Sequence, residues 1–119
     1  MDAFTFTCRV ENQIVIIENS GYFEVIAGNT VTKEIVNHLK NGKKLFLLDF
    51  AKVRVINSPG VSAIMYIALK IQDDFKGKIL LTGLDKFKKT VLKMAGVIPI
   101  ADCAETIEEG IALFSKTQA

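Results

Sequence analysis

The amino-acid sequence predicts an α/β fold: a single domain on a mixed, mainly parallel sheet of about five strands with about four helices. Two short strand-like segments open the chain, too close together for a parallel crossover. Apolar runs typical of buried strands then alternate with segments of helical periodicity. Gly42, Gly77 and Gly96 each follow a helical segment, where a left-handed glycine commonly closes a helix.

The composition is that of a globular domain with its own core. The chain has 119 residues, 50% of them hydrophobic and 24% charged. Folding buries about two thirds of the surface of a chain of this size, so we expect one domain over residues 1–119. The net charge of +2 is too small to predict binding to nucleic acid or to an anionic membrane. The sequence shows neither a signal peptide nor a membrane span, and we therefore expect a cytoplasmic protein.

The opening strands are predicted to form an antiparallel hairpin. Apolar and polar residues alternate from Phe4 to Val10, which is the period of a strand with one wet face. A turn at Glu11–Gln13 leads into Ile14–Ile17, an apolar run that suits a more buried strand.

The middle of the chain is predicted as helix, strand and helix. Asn29 or Thr30 is expected to cap the first helix, whose apolar face recurs every four residues. Leu45–Phe50 is short, apolar and suited to a strand. The second helix is expected from about Ser58 to about Lys76.

The last part of the chain is predicted to alternate in the same way. The predicted elements are a strand over Lys78–Thr82, a helix over about Asp85–Ala95, an edge strand over Val97–Ile100 and a helix that opens with a capping box at Thr106. In the helix over Asp85–Ala95, we expect Phe87, Val91 and either Met94 or Ala95 on one apolar side.

The most informative segment joins Leu45–Phe50 to the second helix. Asp49 is expected at the end of the strand, near Ser58, either as part of a functional site or only as an acceptor for loop amides. Ser58 is a preferred N-cap residue, and Pro59 is preferred at the first helical position. The Ser58 hydroxyl is thus expected to lie exposed at the positive end of a helix, where an anion is stabilised. A simple helix cap is the alternative interpretation.

The second helix carries more apolar residues than one buried stripe needs. Ser62 and Tyr66 follow Ser58 at helical spacing, so we expect the three on one line. The predicted core stripe consists of Val61, Ile64, Met65, Ala68 and Ile71, which leaves Ala63, Tyr66 and Ile67 in excess. The excess indicates either a partner-binding face or a helix buried on a broad face.

Catalytic, metal and cofactor chemistry is not predicted. Cys8 and Cys103 lack the short spacing of metal or redox pairs, and His38 is the only histidine. A hydrolase that used Ser58 would need a nearby base, and the sequence identifies none. The lysines between Lys86 and Lys93 indicate a solvated helix face. We therefore expect a protein that is not an enzyme.

The order of motifs along the chain resembles the STAS family, specifically the bacterial anti-sigma factor antagonists. The family motif is a strand ending in Asp, followed by Asp-Ser-Ser-Gly and an apolar helix, and here Leu48–Val53 and Asn57–Gly60 stand in its place. Gly21–Glu24, Lys93–Val97 and Thr106–Phe114 also resemble family segments.

The resemblance implies a STAS-like fold and a phosphorylation switch. In the family, an anti-sigma factor that is itself a serine kinase supplies the ATP site and phosphorylates the first Ser of the motif, which falls on Ser58. The unphosphorylated antagonist binds the anti-sigma factor and frees the sigma factor. The partner-binding residues expected here are Glu24, Asp49, Asn57, Ser58, Pro59, Gly60, Ser62 and Tyr66. We expect a monomer or weak dimer without a cofactor.

Two residues depart from the motif. Asn57 replaces its acidic residue, and Pro59 replaces its second Ser. They leave open a second hypothesis, in which the chain is an adaptor subunit of a transporter or a signalling scaffold and is never phosphorylated.

Overall fold

The computed structural model describes residues 3–118 and contains one five-stranded sheet in the order β1-β2-β3-β4-β5. The first pair of strands is antiparallel and the other three pairs are parallel. The strands are β1 Thr5–Glu11, β2 Ile14–Phe23, β3 Leu45–Ile56, β4 Lys78–Thr82 and β5 Asp102–Ala104. The helices are α1 Val25–Lys40, α2 Ser58–Leu69, α3 Lys86–Met94, the short α4 Val97–Ile100 and α5 Ile107–Gln118. The predicted fold class, with its opening hairpin, is confirmed.

Helices cover both faces of the sheet because side chains alternate along each strand. Phe46, Leu48 and Phe50 of β3 belong to the larger core cluster, together with buried residues of α1, α2 and α3. Leu47 points the other way and packs with Phe114 of α5 in a smaller cluster. α2 and α5 therefore lie on opposite faces of the sheet.

The first helix begins earlier than its predicted cap. α1 starts at Val25, and Glu24 occupies the cap position without a side-chain hydrogen bond, so the prediction of a cap at Asn29 or Thr30 was wrong. Tertiary packing explains the extra turn. Ala27 and Gly28 are buried, and a Cβ atom on Gly28 would lie 2.5 Å from the Cβ atom of Ala63 on α2. The two helices thus approach closely where the predicted helix had not begun.

The third strand is twice the predicted length and changes the position of Asp49. β3 continues to Ile56 because β2 also continues, and the two strands pair up to Phe23 and Ile56. Exposed Lys52 and Arg54 alternate with buried Val53, which is the period of a strand with one wet face. Asp49 therefore lies in the middle of β3, and its predicted place at the end of the strand was wrong.

The ends of the second helix and of the sheet also differ from prediction. α2 ends at Leu69 and continues as a π-helical turn over Lys70–Asp74. Lys76, not Gly77, takes the left-handed conformation there, whereas Gly42 and Gly96 have φ of 91° and 86° as expected. Val97–Ile100 is a helical turn, so the prediction of a strand there was wrong.

The edge of the sheet and the last helix are set by backbone pairing and capping. Asp102–Ala104 forms the edge strand by pairing with Leu80–Thr82. The Thr106 hydroxyl accepts a hydrogen bond from the Glu109 amide at 3.1 Å, and a Glu109 carboxylate oxygen accepts from the Glu105 amide at 3.2 Å. The predicted capping box is thus present, except that the Glu109 carboxylate binds the amide of Glu105 and not that of the cap residue Thr106. Among residues 3–118, every helix is too short or too polar to cross a membrane.

Candidate partner-binding site at the start of α2

Two strand-to-helix junctions meet at the start of α2. Phe23 and Ile56 are paired in the sheet, and the Asn57 amide donates to the Phe23 carbonyl at 3.4 Å. Gly60 lies so close to this carbonyl that a Cβ atom there would overlap its oxygen. The next residue after Phe23 is Glu24, so the structure brings the half-buried Glu24 and Asn57 to the same end of the sheet.

Asn57 caps the helix in place of Ser58. Its Oδ1 accepts a hydrogen bond from the Gly60 amide at 2.9 Å, and its carbonyl accepts from the Val61 amide at 2.9 Å. The extended strand runs up to Asn57, which has φ −90° and ψ 179°, so the helical backbone starts one residue later. Ser58 is therefore the first helical residue and Pro59 the second; the predictions that Ser58 is the cap and Pro59 the first residue were wrong.

The Ser58 side chain makes no hydrogen bond that would stabilise the fold within the described residues. It is exposed, and its hydroxyl makes no hydrogen bond to any of residues 3–118. It lies in the first turn of α2, where the partial positive charge of the helix dipole favours an anion. Since Asn57 already satisfies the Gly60 amide, a covalent change at Ser58 would break no bond that holds the helix.

An apolar groove lies on one side of this helix start. It has a volume of about 570 Å³ and is lined by the two residues before β1, the end of β2, the start of α1 and Asn57. Val25 and Ile26 are 52% and 74% exposed, and Phe4 and Tyr22 also line the groove. Exposed apolar side chains of this kind commonly mark a surface that a partner covers.

A second, smaller apolar pocket lies between the end of β3 and α3. It is lined by Arg54, Val55, Ile56, Phe87, Lys88 and Val91, and has a volume of about 90 Å³. Phe87 is 76% exposed and Met94 is 84% exposed, so much of the predicted apolar side of α3 faces solvent. Leu92 is the fully buried residue of this short helix. Asp85 caps α3, and its hydrogen bonds to Lys88 lower the pKa of its carboxyl group.

The outer face of α2 continues the exposed surface. Ser62 is exposed and Tyr66 is 53% exposed, on the line that the sequence predicts from Ser58. Ile64, Ala68 and Ile71 are buried as predicted, while Val61 and Met65 are half-buried. Ile67 is 1% exposed and belongs to the core, so its place in the apolar excess was wrong. Ala63 is half-buried beside Gly28.

Asp49 is not part of this surface. It is 6% exposed, its Oδ1 accepts a hydrogen bond from the Thr82 hydroxyl at 2.7 Å, and its Oδ2 accepts from the Ala51 amide at 3.1 Å. Seven strand residues separate it from Asn57, which corresponds to about 23 Å of extended chain. The prediction that Asp49 lies near Ser58 was wrong, because the strand does not end at Phe50.

Sequence reasoning missed the exposed apolar residues that line the groove and the smaller pocket. They are Tyr22, Val25, Ile26, Val55 and Phe87. One signal was available: Val25 and Ile26 directly follow Glu24 but lie outside the four-residue repeat of Val31, Ile35 and Leu39. For Phe87 the periodicity itself was misleading, because an apolar helix face does not reveal whether anything covers it.

The comparisons with known proteins agree with this fold. The model of the STAS domain family matches residues 5–110. An anti-sigma factor antagonist from Mycobacterium paratuberculosis is 11% identical, with a TM-score of 0.79 over 93% of each chain. The Bacillus cell fate determinant SpoIIAA, in its phosphorylated form, is 20% identical, with a TM-score of 0.72 over 94% of this chain and 99% of that one.

A transporter-related protein has the same fold. A sulfate transporter family protein from Wolinella succinogenes is 21% identical, with a TM-score of 0.71 over 92% of this chain and 89% of that one. A search of curated proteins gave no significant match. These structures share the fold of this chain, and the family match extends from β1 into α5. The chain belongs to the STAS domain family.

Proposed function

We propose that this protein is an anti-sigma factor antagonist that binds a serine-kinase anti-sigma factor and is switched off by phosphorylation of Ser58. One observation carries the proposal: an exposed, unbonded hydroxyl stands at the first residue of α2, directly after Asn57, which lines an apolar groove. The protein is then a ligand and a substrate of the kinase in the cytoplasm, not itself an enzyme.

The surface around Ser58 suits a protein partner. The large groove is open and mostly apolar, and two of its lining side chains, Val25 and Ile26, are more than half exposed. A partner surface that contacts Ser58 would also cover Val25 and Ile26, which line the groove together with Asn57. Glu24, Asn57, Ser62 and the Tyr66 hydroxyl would form the polar part of the contact, and Pro59 an apolar part beside Ser58. Gly60 is buried and would keep the backbone of this turn in place.

The energetics favour a switch in binding over a switch in folding. A phosphate in the first turn of α2 gains about 0.3–1 kcal/mol from the helix dipole, so the domain stays folded. The same charge forced unpaired into an interface costs about 3–5 kcal/mol. That cost corresponds to a loss of roughly two to three and a half powers of ten in affinity.

Structural relatives support this proposal. SpoIIAA, which shares the fold, has been solved in a phosphorylated form and in an unphosphorylated form. Asn57 removes the negative charge of the family motif beside the acceptor and so lowers the repulsion that an added phosphate would meet. Pro59 lacks an amide, but its position in the first turn of α2 does not require one.

The phosphorylation step is tested by mass spectrometry. The protein is incubated with ATP and a serine-kinase anti-sigma factor from its own genome, and the intact mass is measured. We expect one phosphoryl group on the wild type and on Ser62→Ala, which changes the exposed serine one turn further on. Ser58→Ala should remain unmodified. Full modification of Ser58→Ala would refute the assignment of the acceptor.

The binding step is tested with a charge substitution. Ser58→Asp should weaken binding to the anti-sigma factor about 100-fold or more and leave the melting temperature nearly unchanged. Ser115→Asp is the matched control, because Ser115 is an exposed serine on α5, across the sheet. Equal losses for the two variants, or none for Ser58→Asp, would contradict the proposal.

A second candidate function is an adaptor subunit of a transporter or a signalling scaffold. It is favoured by the structural likeness to a sulfate transporter family protein and by the departures at Asn57 and Pro59. In that case, pull-down with the wild-type protein should recover a transporter or a scaffold, and Ser58→Asp should be retained as well as the wild type.

A further inference from the structure

Three side chains with metal-binding atoms meet between β1 and α1. Glu34 and His38 are four residues apart on α1 and so lie on the same face of the helix. Cys8 lies on the middle of β1 and faces them. The Cys8 Sγ is 3.5 Å from the His38 Nε2, the same Nε2 is 3.1 Å from the Glu34 Oε2, and all three atoms lie within 4.8 Å of one another.

The arrangement does not suit nucleophilic catalysis. In a catalytic triad, the nucleophile and the carboxylate contact different ring nitrogens of the histidine. Here both Cys8 and Glu34 contact Nε2. Burial and the Glu34 carboxylate also raise the pKa of the Cys8 thiol to about 11, so it is not an activated nucleophile at neutral pH. The three atoms instead lie close enough together to bind a single metal ion.

The spacing matches a small tetrahedral metal ion. With Zn–S near 2.3 Å and Zn–N near 2.0–2.1 Å, a tetrahedral zinc holds sulfur and nitrogen about 3.5 Å apart. Cysteine, histidine and glutamate together are a donor set that zinc accepts. The side chains of His38 and Glu34 are 20% and 33% exposed, which leaves a path for an ion and room for a water ligand.

We propose that Cys8, Glu34 and His38 form a zinc site with three protein ligands and a water in the fourth position. The site is separate from Ser58: Glu34 and His38 lie nine and thirteen residues along α1 from Val25, or about 14 and 20 Å. Zinc bound there links β1 to the last turns of α1. The sequence did not predict this site, because no short spacing relates Cys8 to the two residues on α1.

Binding is tested with metal salts and tag-free, reduced protein. Calorimetric titration with zinc chloride should show one ion per chain. Titration with cobalt chloride should produce the charge-transfer absorption of a cobalt–thiolate bond and the intense visible bands of four-coordinate cobalt. A lack of stoichiometric zinc uptake, or cobalt binding without the thiolate band, would overturn the proposal.

Matched variants assign the ligands. Cys103 is the other half-buried thiol and lies outside the cluster, so Cys103→Ser should bind zinc as the wild type does. Cys8→Ser should lose the cobalt–thiolate band. Its zinc affinity should fall by more than roughly 100-fold, since loss of a residue that only hydrogen-bonds to a metal ligand already lowers affinity by about 10- to 100-fold. Glu34→Gln and His38→Gln, whose folding is checked by circular dichroism, should also weaken it. Equal affinities for Cys8→Ser and Cys103→Ser would refute the site.

The test is independent of the proposed switch. Ser58→Ala should bind zinc like the wild type, and the zinc-site variants should still accept a phosphoryl group at Ser58. Loss of zinc binding in Ser58→Ala would show that the metal is not held by Cys8, Glu34 and His38.

Discussion

Two polar regions of this protein differ in how their side chains are bonded. In the middle of the sheet, Asp49 accepts hydrogen bonds from the Thr82 hydroxyl and the Ala51 amide, and its carbonyl accepts from Asn19 at 3.1 Å. At the start of α2, the Ser58 hydroxyl is exposed and unbonded within residues 3–118. The sequence motif presents Asp49 and Ser58 as neighbours, but the structure separates them.

The difference distinguishes structural from functional polar groups. A buried polar side chain contributes to stability only when it is hydrogen-bonded, and Asp49 is bonded in this way. An exposed hydroxyl without a partner contributes little to folding and is available to another molecule. We therefore expect substitutions in the sheet network to lower the free energy of unfolding and substitutions at Ser58 to alter binding.

The largest loss of stability is expected from Gly60→Ala. The new methyl group would overlap the Phe23 carbonyl and press on the Ile56 side chain, and backbone atoms cannot yield as a side chain does. We expect a loss of about 3 kcal/mol in the free energy of unfolding, measured by urea denaturation. Gly42→Ala is the control: no atom lies within 4 Å of its Cβ position, and only its φ of 91° is unfavourable, so about 1 kcal/mol should be lost. Equal losses for Gly60→Ala and Gly42→Ala would show that Gly60 is not in close contact with the Phe23 carbonyl.

A smaller loss is expected from Asp49→Ala. This change leaves the fully buried Thr82 hydroxyl without its acceptor, which should cost about 1–3 kcal/mol in the free energy of unfolding. Asp73→Ala removes an exposed carboxylate from the π-helical turn and should change stability by less than about 0.5 kcal/mol. If Asp49→Ala were as stable as Asp73→Ala and instead lost partner binding, Asp49 would belong to the interface and the contrast between the two regions would fail.

The smallest effects are expected for the side chains of Asn57 and Ser58. Asn57→Ala removes the side-chain bond to the Gly60 amide and should destabilise the protein by about 1 kcal/mol. Ser58→Ala removes no internal bond and should stay within about 0.5 kcal/mol of the wild type. Thermal denaturation of both variants measures the difference. A larger loss in Ser58→Ala than in Asn57→Ala would show that Ser58, not Asn57, caps the helix.

Much of the fold was predictable because local backbone rules determine it. The alternation from Phe4 to Val10, the apolar run of β4 and the capping box at Thr106 each depend on residues a few positions apart. Their geometry is set by strand and helix periods that act within one segment. These elements were predicted within one or two residues.

Other elements were mispredicted because their neighbours decide them. The second half of β3 is a strand because β2 extends beside it and pairs with it. Lys52 and Arg54 interrupt the apolar pattern there, so a search for apolar runs does not detect this half. α1 begins early because Gly28 permits close contact with Ala63. Phe87 lies on an apolar helix face that nothing within residues 3–118 buries.

The candidate site shows the same division. The sequence identified Ser58, its helix and the line through Ser62 and Tyr66, because helical spacing relates these residues directly. The sequence placed Asp49 wrongly. It also missed the apolar groove and the smaller apolar pocket, since residues from separate elements form them.

By itself, the sequence determined the order and type of most elements, the helix that begins at Ser58 and the family to which the chain belongs. Only the tertiary structure decided that Asn57 caps this helix, that Asp49 lies inside the sheet and that Cys8 meets Glu34 and His38. The physical reason is the range of the interactions. Backbone periodicity and capping act over a few residues, whereas contacts between elements depend on how the helices pack on the two faces of the sheet.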